Sequence, residues 1–506
     1  MSATDGTVQQ QLDSALAKIQ AKLSGSKYIF VSNETERGLG LEKLLPELTI
    51  AAIEQDSVSA GLVSQGKFLH LSDITSTGKL GTSEIFRSWL NAGASGGFAS
   101  DNRDSKAYIQ FFKNTSDGVL GELEGKENFT VLNNTASLTR ALENKVSQFQ
   151  WLEQTAIATH LPQSKVARIG ELQDLVRESI NGGVVVQLPF GHTGSSTFMI
   201  TSVDSLNSYP DLNEQIAQYP NRACRIVEMI HGQAFTVNGC VYGSKVLVAG
   251  LSYQYTGISG LTNNPATTVG NDWMLPQQLL SQTQIEQIRL LAEGVGMALI
   301  DKGFRGFFGI DLVVDETTGK PYLIEINPRQ IASVPMHTKL QLEAGQLPLA
   351  IFNLAEFLGI TDIVVDSDQY NRAGVESLAG AQIFLRSPHK SDYQVPDTNL
   401  RSGIYRQQSD NAARELEKIG EGDKIIYLDS AQDRPLIWQK EGMCLGDFDE
   451  SGFLLLLRPS GHHLQENDEV ARIQARFPLS IVSDSKVMLK PLISDCMHKL
   501  SSILLK

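Results

Sequence analysis

The chain is poor in the features that mark several broad classes of protein. Its four cysteines, Cys224, Cys240, Cys444 and Cys496, stand far apart and form no CxxC pair, which excludes a disulfide framework and a thiolate zinc site of ordinary spacing. Thiols so placed read as reduced and structural. Positive charge is outweighed, with 43 Lys and Arg against 57 Asp and Glu and a net charge of -14. Nucleic acid and anionic membranes both reward clustered cations, so neither is an expected partner. No apolar run approaches membrane-spanning length, the N-terminal stretch has no basic-then-apolar leader, and a cytoplasmic location is expected. Low-complexity tracts are absent, which excludes disorder over any large part.

What is present is the text of a folded multidomain protein, since 506 residues exceed one ordinary core. The expected class is mixed α/β and α+β. In residues 1–140, Leu12, Ala15, Leu16 and Ile19 recur at helical spacing, and short apolar runs at Tyr28–Val31, Ile109–Phe112 and Val131-Leu132 follow, as in an α/β domain. Residues 141–365 open on an amphipathic stretch from Leu142 to Thr159 and a second helical stretch around Glu171 to Ile180. The β-branched run Val184-Val185-Val186 then leads into a loop, Pro189 to Ser196, rich in Gly, Ser and Thr. A helix is expected over Gln282–Lys302, where Ile285, Ile288, Leu291, Val295 and Leu299 make one apolar face. Residues 370–506, with apolar runs at Ala381–Leu385, Lys424–Leu428 and Phe453–Leu457, read as a separate β-rich domain.

The most informative passage is a hairpin. Phe307 to Asp315 and Tyr322 to Asn327 flank the turn Glu316-Thr317-Thr318-Gly319-Lys320. Strand side chains alternate, so Asp311 shares a face with Gly309 and Val313, and Glu325 with Leu323, Asn327 and Arg329. If the hairpin closes symmetrically about Thr318, Asp311 lies opposite Glu325. Opposed carboxylates repel and need a cation or a shared proton. A divalent metal satisfies that need, and the oxygen donors, with Asn327 adding an amide oxygen, suit Mg2+. Spacing alone leaves open a solvated carboxylate pair beside an arginine.

Gly306-Phe307-Phe308-Gly309-Ile310-Asp311-Leu312 followed by Leu323-Ile324-Glu325-Ile326-Asn327-Pro328-Arg329 resembles the metal-binding hairpin of the ATP-grasp superfamily, which includes biotin carboxylase and D-alanine:D-alanine ligase. The resemblance implies an ATP-grasp fold over residues 141–365, with a lid at about 150–225. It assigns Asp311, Glu325 and Asn327 to Mg2+, with Mn2+ as an alternative, and Arg329 to the reacting groups. Lys145 resembles the family's first phosphate-contacting lysine. The loop carrying Gly191, Gly194 and Ser195 is similar to its flexible phosphate loop, and Arg225 to Gly232 to its hinge. There Glu228 and the backbone of Met229 and Ile230 would hold the nucleoside. Gln187 stands where the family usually has a second lysine, with His192 or Arg225 as substitute cations, and Ala234 stands where an acid is usual. Asp272 and Trp273 are candidates for substrate recognition, as are Gln330, Ser333, His337 and Lys339.

The activity implied is that of a ligase. ATP would activate a small-molecule carboxylate as an acyl phosphate, an amine would capture it, and ADP and phosphate would leave. Two alternatives stay open. One is bicarbonate activation as in biotin carboxylase, toward which Asn327-Pro328-Arg329-Gln330 and Val334-Pro335-Met336-His337-Thr338 lean. The other is a nucleotide-binding regulator without turnover, which Gln187 permits. A homodimer is compatible with this reading.

Overall fold

The computed structural model describes residues 3–53, 62–63, 65–71, 81–91, 106–126, 128–178, 183–191, 196–407, 424–426, 436–440, 452–483 and 486–505. The N-terminal part is built on five parallel strands, β1 (Lys27–Ser32), β2 (Leu48–Ala52), β3 (Phe68–His70), β4 (Ala107–Phe111) and β5 (Phe129–Val131), in the order β3-β2-β1-β4-β5. The continuous run Tyr28-Ile29-Phe30-Val31 is buried throughout, as a parallel strand covered on both faces requires. Helix Ala3–Leu23 turns Leu12, Ala15 and Ile19 into the core, where they join residues of helix Leu349–Leu358.

A second sheet stands by itself with the order β6-β9-β7-β8, from β6 (Ser164–Arg168), β7 (Val184–Gln187), β8 (Thr197–Ile200) and β9 (Ala223–Glu228). Its own core gathers Ile169, Leu172, Val186, Ile200, Leu206 and Ile226. The sequence reading lacks β6, because Ser164-Lys165-Val166-Ala167-Arg168 is a polar edge strand with no buried face to impose an alternation. Glu143-Asn144-Lys145 does open a helix, Lys145–Leu152, which the side chain of Asn144 caps by accepting N–H groups of Val146 at 3.0 Å and Ser147 at 3.4 Å.

The largest sheet begins with β10 (Gly232–Tyr242), β11 (Lys245–Thr256), β12 (Thr268–Asp272), β13 (Gly306–Asp315), β14 (Pro321–Asn327) and β15 (Ala381–Arg386). The chain then adds β16 (Tyr393–Gln394), β17 (Gly403–Gln407), β18 (Lys424–Ile426), β19 (Leu436–Lys440), β20 (Gly452–Leu457), β21 (His463–Leu464), β22 (Glu469–Ala475), β23 (Ser480–Ser483) and β24 (Lys486–Leu489). Eleven strands follow one another in the order β14-β13-β10-β11-β12-β15-β22-β20-β17-β19-β18. Strands of the C-terminal β-rich region, β15, β22, β20, β17, β19 and β18, are therefore continuous with the central sheet. Gly270 pairs with Ile383 and Asp272 with Ala381, which makes them a lateral extension of the central sheet.

Helix Gln282–Asp301 is fixed at its start by a capping box between Ser281 and Gln284, and its apolar face packs on Phe308, Ile310, Leu312 and Leu323 of the hairpin. That packing commits one hairpin face to the core and leaves the other for chemistry. Among the described residues, Cys224, Cys240 and Cys496 are free and buried, and no helix is long and apolar enough to cross a membrane.

Candidate active site

Asp311 and Glu325 are Cα partners across the hairpin, and Gly309 faces Asn327. The ladder shifts between Asp311 and Leu312, so that Leu312 faces Leu323 and Ile324 is the extra residue of a bulge. Leu323 accordingly lies in the core and does not share the face of Glu325, because the bulge interrupts strict alternation. The Asp311 carboxylate accepts hydrogen bonds from Thr236 Oγ1 at 2.8 Å, Gln254 Nε2 at 3.1 Å and Asn327 Nδ2 at 3.1 Å. Burial, then the charge of Glu325, push its carboxyl up to about 6. Glu325 pairs with Lys145 Nζ at 3.1 Å, and that lysine is buried.

Lys145 is held from two directions. The Asn144 cap starts its helix, and its backbone N–H donates to the carbonyl of Pro189 at 3.0 Å, where the glycine-rich loop leaves β7. Next to it, Glu143 pairs with Lys113 at 2.7 Å and Arg329 at 3.0 Å, joining the parallel-sheet part to the hairpin. Burial alone would raise the Glu143 carboxyl, but Arg329 and Lys113 outweigh it and hold it at about 2. Arg329 also donates to Asn327 Oδ1 at 3.2 Å.

Gln187 and Arg225 are cross-strand partners in the second sheet. The Arg225 guanidinium donates Nε to Gln187 Oε1 at 3.0 Å, with Nη2 close to the same oxygen, and Nη2 reaches the carbonyl of Ile324 at 3.2 Å. Its carbon lies 3.3 Å from the centre of the Phe149 ring. Burial lowers its basicity to about 9. The loop after β7 is closed at its neck by Leu188 N–H to Ser196 O at 2.9 Å, and a Cβ on Gly191 would meet the Ser196 side chain at 2.3 Å, so the neck requires glycine. His192, Gly194 and Ser195 lie outside the described residues. Glu228 ends β9, and its Oε1 accepts the backbone N–H of Gln163 at 2.8 Å; Met229 and Ile230 form the half-buried connection to β10.

Asp272 and Trp273 are placed in the interior. Asn271 pairs with Gln254 and Gln382, and alternation turns the next residue to the opposite face. There the Asp272 carboxylate accepts N–H groups of Met274 and Leu275, the N–H of Leu479 and the hydroxyl of Tyr255, while burial pushes it up to about 6. Trp273 is fully buried and stacks on His337 with centroids 6.4 Å apart. Burial holds His337 down to about 3, and its Nδ1 lies 3.1 Å from Asn238 Nδ2. Ser333 donates to Asn238 Oδ1 and Gln330 to the carbonyl of Arg37. These are structural bonds, and Lys339 is buried on the same helix as His337.

Sequence reasoning overlooked two sets of residues. Lys113 and Glu143 become neighbours of Arg329 only through tertiary contact. The second set is a polar row on the Asp311 face, running through Thr236, Ser252, Gln254, Asn271, Gln382 and Gln474, with Asn271 donating to Ser252 at 3.2 Å, Gln382 to Asn271 at 3.4 Å and Gln474 to Gln382 at 3.3 Å. Its signal was available, because Gln382, Phe384 and Arg386 alternate with Ala381, Ile383 and Leu385. A cavity of about 510 Å³ beside the site is lined by Lys113, Thr139, Arg140, Glu143, Phe190 and Gly191.

Two antiparallel sheets, with opposed carboxylates on the larger and a glycine-necked loop on the smaller, make up the architecture of the ATP-grasp fold. Residues 142–333 match the ATP-grasp domain family. The fold is similar to the biotin carboxylase domain of Hydrogenobacter thermophilus 2-oxoglutarate carboxylase, solved with MgADP, ADP and bicarbonate (12% identity, TM-score 0.52, 89% of this chain and 86% of that one). It is similar to biotin carboxylase from Campylobacter jejuni (13%, TM-score 0.52, 89% and 87%) and to N5-carboxyaminoimidazole synthetase from Staphylococcus aureus, solved with ADP (11%, TM-score 0.52, 95% and 98%). At these identities the likeness is one of fold. No curated protein matches the chain in sequence.

Proposed function

We propose that the protein is an ATP-dependent ligase that activates a small carboxylate as an acyl phosphate and transfers the acyl group to an amine, releasing ADP and phosphate. The observation that carries this reading is the opposition of Asp311 and Glu325 beside buried Lys145, with Arg329 held next to them by Glu143. Two carboxylates and an amide oxygen are hard oxygen donors, and the Asp311 carboxyl is raised first by burial and then by the facing charge of Glu325, a burden that a bound cation would relieve. The residues therefore fit Mg2+, with Mn2+ as a substitute, and Asp311, Glu325 and Asn327 would hold it. When bound, the ion supplies charge neutralisation at the phosphates.

A carboxylate is a poor electrophile, because its charge repels nucleophiles and oxide is a poor leaving group. Attack of a carboxylate oxygen on the γ-phosphorus breaks the bond to the β-phosphate oxygen and leaves ADP. The amine then attacks the acyl carbon, phosphate departs with the electron pair of the broken C–O bond, and the amine proton passes to solvent or phosphate. In this reading Lys145 binds phosphate oxygens, Glu228 and the backbone of Met229 and Ile230 hold the nucleoside, and Arg329 steadies the acyl phosphate and its tetrahedral successor.

The bicarbonate complex of the Hydrogenobacter thermophilus neighbour supports a second reading, in which bicarbonate is the acid activated. One assay separates the two. ADP release is followed over a panel of amino acids and small acids with an amine present, and in parallel with bicarbonate. Release stimulated by an organic acid supports the ligase, release stimulated by bicarbonate alone supports the second reading, and no stimulated release in either arm contradicts both.

A further inference from the structure

We propose that Arg225 is a phosphate-binding residue of the nucleotide cleft, holding the polyphosphate of ATP with the amino group its structural bonds leave free. The proposal rests on the reading of the cleft as an ATP site.

Arg225 is 2% exposed, yet it lacks the companion that a buried guanidinium ordinarily has. Its Nε and Nη2 are spent on two neutral acceptors, Gln187 Oε1 and the carbonyl of Ile324. Nη1 is buried and has no hydrogen-bond partner among the described residues. Its charged neighbours act on it through space, Glu325 first and Glu153 second, and Glu325 is already paired with Lys145. Burying a charge without an ion pair is costly, and the Phe149 ring beneath the guanidinium offsets only part of the cost. An anion recovers the remainder, because a guanidinium matches phosphate geometry with charge-assisted hydrogen bonds.

Position argues for the same ligand. Arg225 sits on β9, directly across from the last residue of β7, and β7 runs into the glycine-necked loop at Pro189, whose carbonyl holds Lys145. Through Ile324 it also touches the hairpin residue next to Glu325. The side chain thus crosses from the smaller sheet to the hairpin, and two of its nitrogens fix its orientation while the third, Nη1, remains for the ligand. A residue that only braced the sheets would have no need of charge.

The test is calorimetric binding of a nonhydrolysable ATP analogue and of adenosine, each with Mg2+, to the full chain. Arg225→Met is expected to weaken the analogue by tenfold or more and leave adenosine unchanged, whereas Arg225→Lys keeps most of the affinity. Because Gln187 is the cross-strand neighbour, Gln187→Lys in the Arg225→Met background is expected to restore analogue binding. Should Arg225→Met fail to fold, Gln187→Glu serves as the second probe, since an ion pair with the carboxylate would occupy the guanidinium and weaken the analogue selectively. Equal losses for analogue and adenosine, or unchanged analogue affinity, would overturn the proposal. A wild-type chain that binds neither ligand would overturn the ATP-site reading along with it.

Discussion

At the scale of single residues, the site is a balance of like charges held close by design of the strands. Asp311 faces Glu325, and Lys145 is the cation that the protein itself places against them. Glu325→Gln keeps shape and removes charge, so we predict that turnover falls by roughly 10²-fold or more, as loss of a charge-stabilising group at a reacting centre commonly costs, while the melting temperature is kept. Asp311→Asn is expected to be milder, since three hydrogen-bond donors already surround that carboxylate. Steady-state rates over a Mg2+ titration check both, and wild-type turnover at limiting Mg2+ in the two variants would remove the metal assignment. Glu143 carries a pH signature. Its carboxyl is held at about 2 rather than 4.5, so its ion pairs contribute fully above about 4.5 and are lost as the pH falls toward 2. The contribution is on the order of 3 kcal/mol. Denaturant unfolding from pH 7 to 3 should show a stability loss that Glu143→Gln flattens, and an unchanged acid limb in the variant would contradict it. The hairpin carboxylates were legible in the sequence, because turn chemistry and alternation fix a local register. The contact between Gln187 and Arg225 was not, because 38 residues and two helices separate the partners.

At the scale of elements, the smaller sheet is tied to the rest by a few polar contacts and keeps its own apolar core. Such a unit is suited to closing and opening over a nucleotide. We expect amide protection in Val184–Gln187 and Thr197–Ile200 to rise when a nonhydrolysable ATP analogue binds, and unchanged hydrogen exchange in both strands would count against closure. The neck of the loop offers a sharper probe. In Gly191→Ala the new Cβ has nowhere to go against Ser196, so the Michaelis constant for ATP is expected to rise several-fold with little change in global stability. An unaltered constant would show that the neck does not position the loop. Here the sequence was legible as strand, glycine-rich loop and strand. It was not legible at β6, whose residues carry no buried face.

At the scale of the whole molecule, the central sheet is one surface from the hairpin to the C-terminal strands. From Asp311 the row runs through Thr236, Ser252, Asn271 and Gln382 to Gln474, and these five are buried and hydrogen-bonded along much of their length, which such groups need in a low-dielectric interior. Removing residues 379–506 would bare the edge of β12 and delete the bonds that Leu479 and Ser480 make to Asp272 and Tyr255. An open strand edge with unpaired backbone groups invites association, so we predict that the truncated chain aggregates, read by size-exclusion chromatography. A monodisperse, folded fragment would contradict that dependence. The mixed fold class was legible from composition and periodicity, and the ATP-grasp fold from the resemblance of one hairpin. The join between Gly270 and Ile383 was not, since strand text specifies a partner face but not which distant strand supplies it. The same limit hid which residue of the pair faces Asp311, since Asn271 lies on that face and Asp272 on the opposite one.

The central claim is that an acyl phosphate forms. The direct measurement is incubation of the full chain with ATP, Mg2+, the activating carboxylate and hydroxylamine in place of the amine, with hydroxamate and nucleotide products quantified together. ATP-dependent hydroxamate is expected to accumulate in step with ADP and phosphate. Hydroxamate accompanied by AMP and pyrophosphate would mean adenylate chemistry, and would contradict it.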